Sequence, residues 1–265
     1  MYNFIFDESG EFGDITHESD RQGYAVVAGI LAHNDQMPFL KVAADRLYFR
    51  YRDLELDKFH LTEIRKKCPH LVPLILQEVK NILTNIGVPV YFHIDSLSTF
   101  IEQERFKHDK KEKARYKFAK DGISLSNNSS KLSLHPEVFY RLYLKVIGSL
   151  VLHEKSAVSI VLMTDPTNQR KYLENKAKAA HSYESQNVFK AFDLNNKKSI
   201  KYRFEVGHMT DSKIHNYVKD SQFALREATP AFAFLADVVS NELYNTKRYN
   251  LPESYFNDLV VKSAV

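Results

Sequence analysis

Three aspartates stand where a rigid framework would deliver them. Asp7 follows the apolar run from Tyr2 to Phe6 in FIFDESG, Asp165 follows Ala157 to Thr164 in AVSIVLMTD, and Asp237 sits inside LADVV. Carboxylates gathered together repel one another and rise in pKa unless a cation sits between them. Oxygen-only ligands favour Mg²⁺ or Mn²⁺. Paired ions of that kind hydrolyse phosphodiesters, one activating water and the other stabilising the leaving oxygen. The metal expectation therefore falls on Asp7, Asp165 and Asp237. Each acid also has a plainer reading as a turn former or helix cap. Asp237 resists it most, because an unpaired acid buried in LADVV is costly.

Several neighbours could assist. Glu8 follows Asp7 directly, and in an extended chain the two side chains face opposite ways. Glu8 is thus either a support for the same site or the partner of a basic side chain. In KFHLTEI, His60 and Glu63 share a face only if the segment is helical. His60 could orient water or accept a proton, Glu63 could complete the ligand set, and Lys58 could contact a phosphate. The bland alternative is a hydrogen-bonded histidine and a capping glutamate. Asp95, at the end of VYFHID, is a reserve ligand if that strand neighbours the first, and Ser96 after it makes a helix cap as plausible. Gly10 and Gly13 lack the lysine and following helix of a phosphate-binding loop, and Ser9 lacks the elbow of a serine nucleophile.

The stretch from 102 to 134 is dense in Lys and Arg and then turns Ser- and Asn-rich, which reads as a basic insertion or cover. Between Arg105 and Lys120 the cations alternate with Phe106, Tyr116 and Phe118. Lys110, Lys111 and Arg115 are its candidate phosphate contacts, with the aromatics free to stack on bases. A solvated charged face is the competing reading.

These residues need mounts. Apolar β-branched and aromatic runs predict strands at Tyr2 to Phe6, Tyr24 to Leu31, Val88 to Ile94, Ala157 to Thr164 and, more weakly, Ile200 to Val206. Pro89 confines the third to its start or to a sheet edge. Helical spacing covers 35 to 52, Leu71 to Leu83 ending at Gly87, the residues from Pro136 to Leu150, and 167 to 186. Thr229 and Pro230 open a last helix that buries Phe232, Leu235, Val239 and Leu243. Strands alternating with helices predict an α/β layered fold. The loop between the first two strands predicts a mixed sheet with an antiparallel edge.

Composition sets the frame. The chain has 265 residues, 44% hydrophobic and 26% charged, which suits a single domain with a sizeable core. Its formal net charge of +4 permits a nucleic-acid partner without demanding one. Cys68 is the one cysteine, so neither an intrachain disulfide nor a cysteine-based zinc site is available. The opening does not read as a signal peptide, and no stretch is apolar enough for a membrane span. A cytoplasmic location without membrane contact is the default. The oligomeric state stays open, with a homodimer among the options.

The opening FIFDESGEFG, then KFHLTEI, VSIVLMTDP and FLADVVSN, together resemble, in the same order, an RNase H-like family catalogued as domain of unknown function 3800, which opens on a DESG motif. The resemblance spans most of residues 1 to 245, and the opening is its most specific part. It implies an RNase H-like mixed sheet flanked by helices, with Asp7, Asp165 and Asp237 as acidic metal ligands. It also implies nuclease activity, in a family often found near mobile elements or phage defence. The late helix of relatives carries Gln where this chain has Phe234, and the basic segment looks expanded. Two classes of function follow: a metal-dependent nuclease or phosphodiesterase acting on DNA or RNA, and a non-catalytic module binding nucleic acid or protein.

Overall fold

The computed structural model describes residues 1–10, 23–54, 56, 59–120, 123–125, 134–167, 169–182, 185–193, 197–206, 213–251 and 254–260. In chain order the elements of its first half are β1 (Tyr2–Gly10), β2 (Tyr24–His33), α1 (Met37–Tyr51), α2 (Leu61–Lys67), α3 (Val72–Ile86), β3 (Val90–Ser96) and α4 (Leu97–Lys120). Then come β4 (Ile123–Leu125), α5 (Leu134–Glu154), β5 (Ser159–Thr164), α6 (Arg170–Ser182), β6 (Ser185–Asp193), β7 (Lys198–Val206), α7 (Lys213–Asp220), β8 (Gln222–Glu227) and α8 (Pro230–Arg248).

Five strands form a mixed sheet in the order β3-β2-β1-β5-β8. The β1–β2 and β2–β3 pairs are antiparallel, while β1–β5 and β5–β8 are parallel. The strand period of two divides its side chains between two helical layers. Ile5, Ala28 and Ile30 face a core built with α1, α3 and α8. Phe4 and Phe6 face the opposite core with α5 and α6, where the Phe6 ring stacks on Phe139 at 4.8 Å. Burying one such side chain stabilises the fold by about 1.5–3 kcal/mol.

Helix α8 is the apolar spine of the first layer. Thr229 Oγ1 accepts from the Phe232 N–H at 3.4 Å, with Pro230 at the first turn, as the sequence predicts. Its residues from Phe234 to Leu243 are all buried. At the end of α3, Gly87 takes a left-handed φ of 73°, which fits the predicted stop.

The structure also departs from expectation. β1 does not stop at Phe6 but continues to Gly10, because β2 keeps pairing with it up to Gly10↔Ala25. Asp7 therefore lies within a strand. β8 and α7 escaped the sequence reading, and Ile200 to Val206 belongs to β7 in a separate antiparallel sheet of order β4-β6-β7. The basic stretch is helical through Lys120, and α4 anchors its first turn through buried Leu97, Phe100 and Ile101. Residues 121–122 and 126–133 of that stretch lie outside the described part. No described helix is long and apolar enough to cross a membrane.

Candidate functional site

The site arises where two ladders end at different places. The parallel β1–β5 ladder runs from Tyr2↔Ile160 to Ile5↔Met163 and then stops. β1 carries on, paired with β2 alone, and Asp7 lies opposite Ala28. The gap thus opened is bounded by Asp165, the first residue after β5. Crevices at the carboxyl ends of parallel strands collect sites for this reason: side chains there are firmly mounted yet reachable. From the layer beyond, α8 presents Asp237. The resulting cleft has a volume of about 600 Å³, and Asp7, Glu8, His60, Glu63, Asp165 and Asp237 all line it.

Asp237 divides its two oxygens between two tasks. Oδ2 accepts the Leu61 N–H at 2.6 Å, which serves an otherwise unpartnered donor in the first turn of α2. Oδ1 lies 3.6 Å from His60 Nδ1 at the edge of the cleft. The extended backbone of His60 begins α2, so the helical spacing needed to bring His60 and Glu63 to one side is met only from Leu61 onward. Glu63 Oε1 is held by Lys66 Nζ at 2.7 Å. Asn241 donates to Thr62 Oγ1 at 2.7 Å and accepts from Arg65 Nε at 3.0 Å, which locks α2 onto α8.

The cleft is short of compensating charge. Burial raises the Asp7 carboxyl well above the carboxylate range, with Glu8, Asp237 and Asp165 adding repulsion. Burial pushes Glu8 up to about 7, against a hydrogen bond with Asp7 that lowers it. Glu8 Oε2 is 3.2 Å from His135 Nε2 on α5. Burial also pushes His135 down to about 4, so at neutral pH that ring brings no charge to Glu8. Asp165 is raised by burial and by Asp237, although His60 opposes the shift. Of the five carboxyls that line the cleft, Asp7, Glu8 and Asp165 are thus driven towards protonation.

No protein-family model matches this chain, and no curated protein matches it.

As donors, the cleft residues suit a hard divalent cation, since every carboxyl supplies oxygen and a bound cation would relieve the repulsion. Their placement is less complete. Among the described residues no group of three His, Cys, Asp or Glu is arranged so that it could hold a metal ion. Asp237 Oδ2 is in addition already engaged by the Leu61 N–H of α2.

Other candidates lie elsewhere. Asp95 belongs to β3, an edge strand that pairs with β2 and not with β1. Its Oδ1 accepts from Arg141 Nη1 at 2.9 Å and lies 3.3 Å from His93 Nε2, and these partners outweigh burial to lower its pKa. The idea that β3 neighbours the first strand is therefore corrected: β2 intervenes. Lys110 is exposed on α4 with Nζ 4.4 Å from the Phe106 ring, and it does not line the cleft. Lys58 and the side chains of Lys111 and Arg115 lie outside the described residues. Phe234 packs against Phe59 at 4.4 Å between ring centroids, inside the core rather than in the cleft.

The sequence reading missed Asn241, Tyr244 and Arg248, which line the cleft along α8 beyond Asp237. Their steps of four, three and four residues follow one helical face, so extending the stripe from Asp237 would have found them.

Proposed function

We propose that the cleft is the active site of a metal-dependent nuclease or related phosphodiesterase with an RNase H-like core. The observation that carries this reading is the meeting of Asp7, Asp165 and Asp237 at one open cleft, from a central strand, a neighbouring strand end and a distant helix. The five-strand mixed sheet, antiparallel on one side of β1 and parallel on the other, supports the RNase H-like core. The DESG opening, with its resemblance to that nuclease family, points the same way.

Mg²⁺ or Mn²⁺, when bound, would activate water and neutralise charge developing on phosphate oxygens. Asp7, Asp165 and Oδ1 of Asp237 are the residues to hold it. Asp7 supplies a carboxylate fixed on a paired strand, so its position costs little reorganisation. His60, close to Asp237 and Asp165, is suited to orient the attacking water and take its proton. Glu8 lines the cleft beside Asp7 and adds repulsion that a bound cation would relieve. Exposed α4, with Lys110 stacked on Phe106, offers a place for the nucleic-acid backbone.

A second reading is a non-catalytic nucleic-acid- or protein-binding module. Two observations favour it: no described group of three ligands is arranged to hold a metal, and Asp237 has a structural task at α2. Incubation of the purified protein with DNA and with RNA, in Mg²⁺ and in Mn²⁺, separates the two. The nuclease reading expects cleavage that Asp7→Asn abolishes, together with a melting temperature that Mn²⁺ raises in the wild type only. Absence of both effects, or cleavage unchanged in Asp7→Asn, overturns it.

A further inference from the structure

The last turn of α8 carries a feature that the acids do not use. Arg248 lines the cleft, and its guanidinium carbon lies 5.9 Å from the Tyr244 ring centroid and 5.5 Å from that of Tyr249. Both are within cation–π range. Beside it, Lys247 Nζ stands 5.2 Å from the Tyr24 ring. Tyr244 and Arg248 line the cleft, and Tyr249 and the Lys247–Tyr24 pair adjoin them at the end of α8. Arg248 and Tyr249 are exposed, and among the described residues Arg248 makes no ion pair.

Gly10 is what lets this cluster sit against the acids. Its φ is +115°, and a Cβ there would meet the Tyr24 carbonyl oxygen at 2.2 Å and Tyr244 Cε2 at 2.9 Å. The Tyr244 ring therefore lies directly on the end of β1, three residues beyond Asp7. Cations in a final helical turn also favour the helix dipole. A dipole role needs no aromatic ring on either side and no opening into a cleft.

We propose that Tyr244, Arg248 and Tyr249 form a stacking and phosphate-binding rim that selects single-stranded nucleic acid for the cleft. This rests on the nuclease reading of the acids. The exposed Tyr249 ring and the guanidinium stacked between it and half-buried Tyr244 accept the flat surface of an unpaired base, which a duplex keeps inside its own stack. The planar Arg fork, free of carboxylate, is available to a phosphate. Along α8, Asp237 and Arg248 are eleven residues apart, about 16 Å of helix. A strand held at the rim can therefore extend down the cleft to the acids.

The test uses binding in EDTA, so it does not depend on cleavage. Fluorescence anisotropy with labelled single-stranded DNA, single-stranded RNA and a duplex of the same sequence measures affinity for wild type and variants. The wild type is expected to bind one of the single strands about tenfold or more tighter than the duplex. Arg248→Ala combined with Tyr249→Ala is expected to weaken that binding about tenfold and to reduce the slope of log affinity against log salt by about one. Arg248→Lys should keep the salt slope and still lose affinity, which a purely structural arginine would not do. Unchanged melting temperatures establish that the variants fold. Equal affinity for single strand and duplex, or wild-type binding by the double variant, overturns the proposal. So does a loss that appears only with Lys110→Ala on α4. Should Asp7→Asn leave cleavage untouched while the rim variants lose binding, the nuclease reading falls and the rim remains.

Discussion

Replacing Glu8 by Gln should stabilise the metal-free protein at neutral pH and leave it unchanged in acid. Burial holds the Glu8 carboxyl at about 7 instead of its ordinary 4.5. Folding therefore favours the protonated form. The associated stability is fully present below about 4.5, declines as pH rises between 4.5 and 7, and is absent above. A tenfold change in proton affinity is worth about 1.4 kcal/mol, so the full interval corresponds to about 3 kcal/mol. The side chain is 32% exposed, and allowance for solvent screening reduces this to about 2 kcal/mol. For a chain of this size that is about 4–8 °C in melting temperature. Asp7, raised by the same burial and by Glu8 itself, reinforces the sign. Urea or thermal melts of wild type and Glu8→Gln in EDTA, from pH 4.5 to 8, measure it. The difference should be near zero at pH 4.5 and maximal at pH 8. A difference that does not depend on pH, or a Gln variant less stable at pH 8, refutes the electrostatic reading of the cleft.

Three further outcomes are expected. Asp237→Ala should cost about 1–3 kcal/mol in urea unfolding, because it strands the Leu61 N–H, whereas Asp237→Asn retains an acceptor and most of the stability; both should lose any Mn²⁺-dependent cleavage. Gly10→Ala should cost at least about 2 kcal/mol by the same measurement, since its Cβ would collide with a backbone carbonyl at a strained φ. Asp95→Asn, which weakens the pairs with Arg141 and His93 on the sheet edge, should lower stability by about 1–3 kcal/mol and leave cleavage within about twofold of wild type.

The apolar framework was largely readable in advance because burial writes itself into periodicity. The run YAVVAGIL became β2, and the spacing of Phe232, Leu235, Val239 and Leu243 described the buried face of α8. Harder to read were elements whose role depends on partners far along the chain. Gln222–Glu227 is six residues long with an apolar run of only Phe223, Ala224 and Leu225, and it forms a strand because β5 offers it a parallel edge. Asp95 looked equivalent to Asp7 locally, since both follow apolar strands. Sheet order alone separates them, and a strand does not encode its neighbour's identity. The meeting of Asp7, Asp165 and Asp237 was an expectation built on strand ends and on Asp237 as a misfit. The second use of Asp237, as acceptor for α2, left no local signal.

The unequal lengths of β1 and β5 give the cleft one fixed jaw and one adjustable jaw. Asp7 is mounted on a strand whose backbone remains laddered to β2 for three residues beyond it. Asp165 hangs just past the end of its strand, followed by Pro166 and Thr167. When the cleft takes up a charge or a bulky group, the displacement is expected on the Asp165 side, which lies beyond the β1–β5 ladder, with the first strand serving as the reference. The acids are thus unequal in kind as well as in position, one a datum and the other a follower.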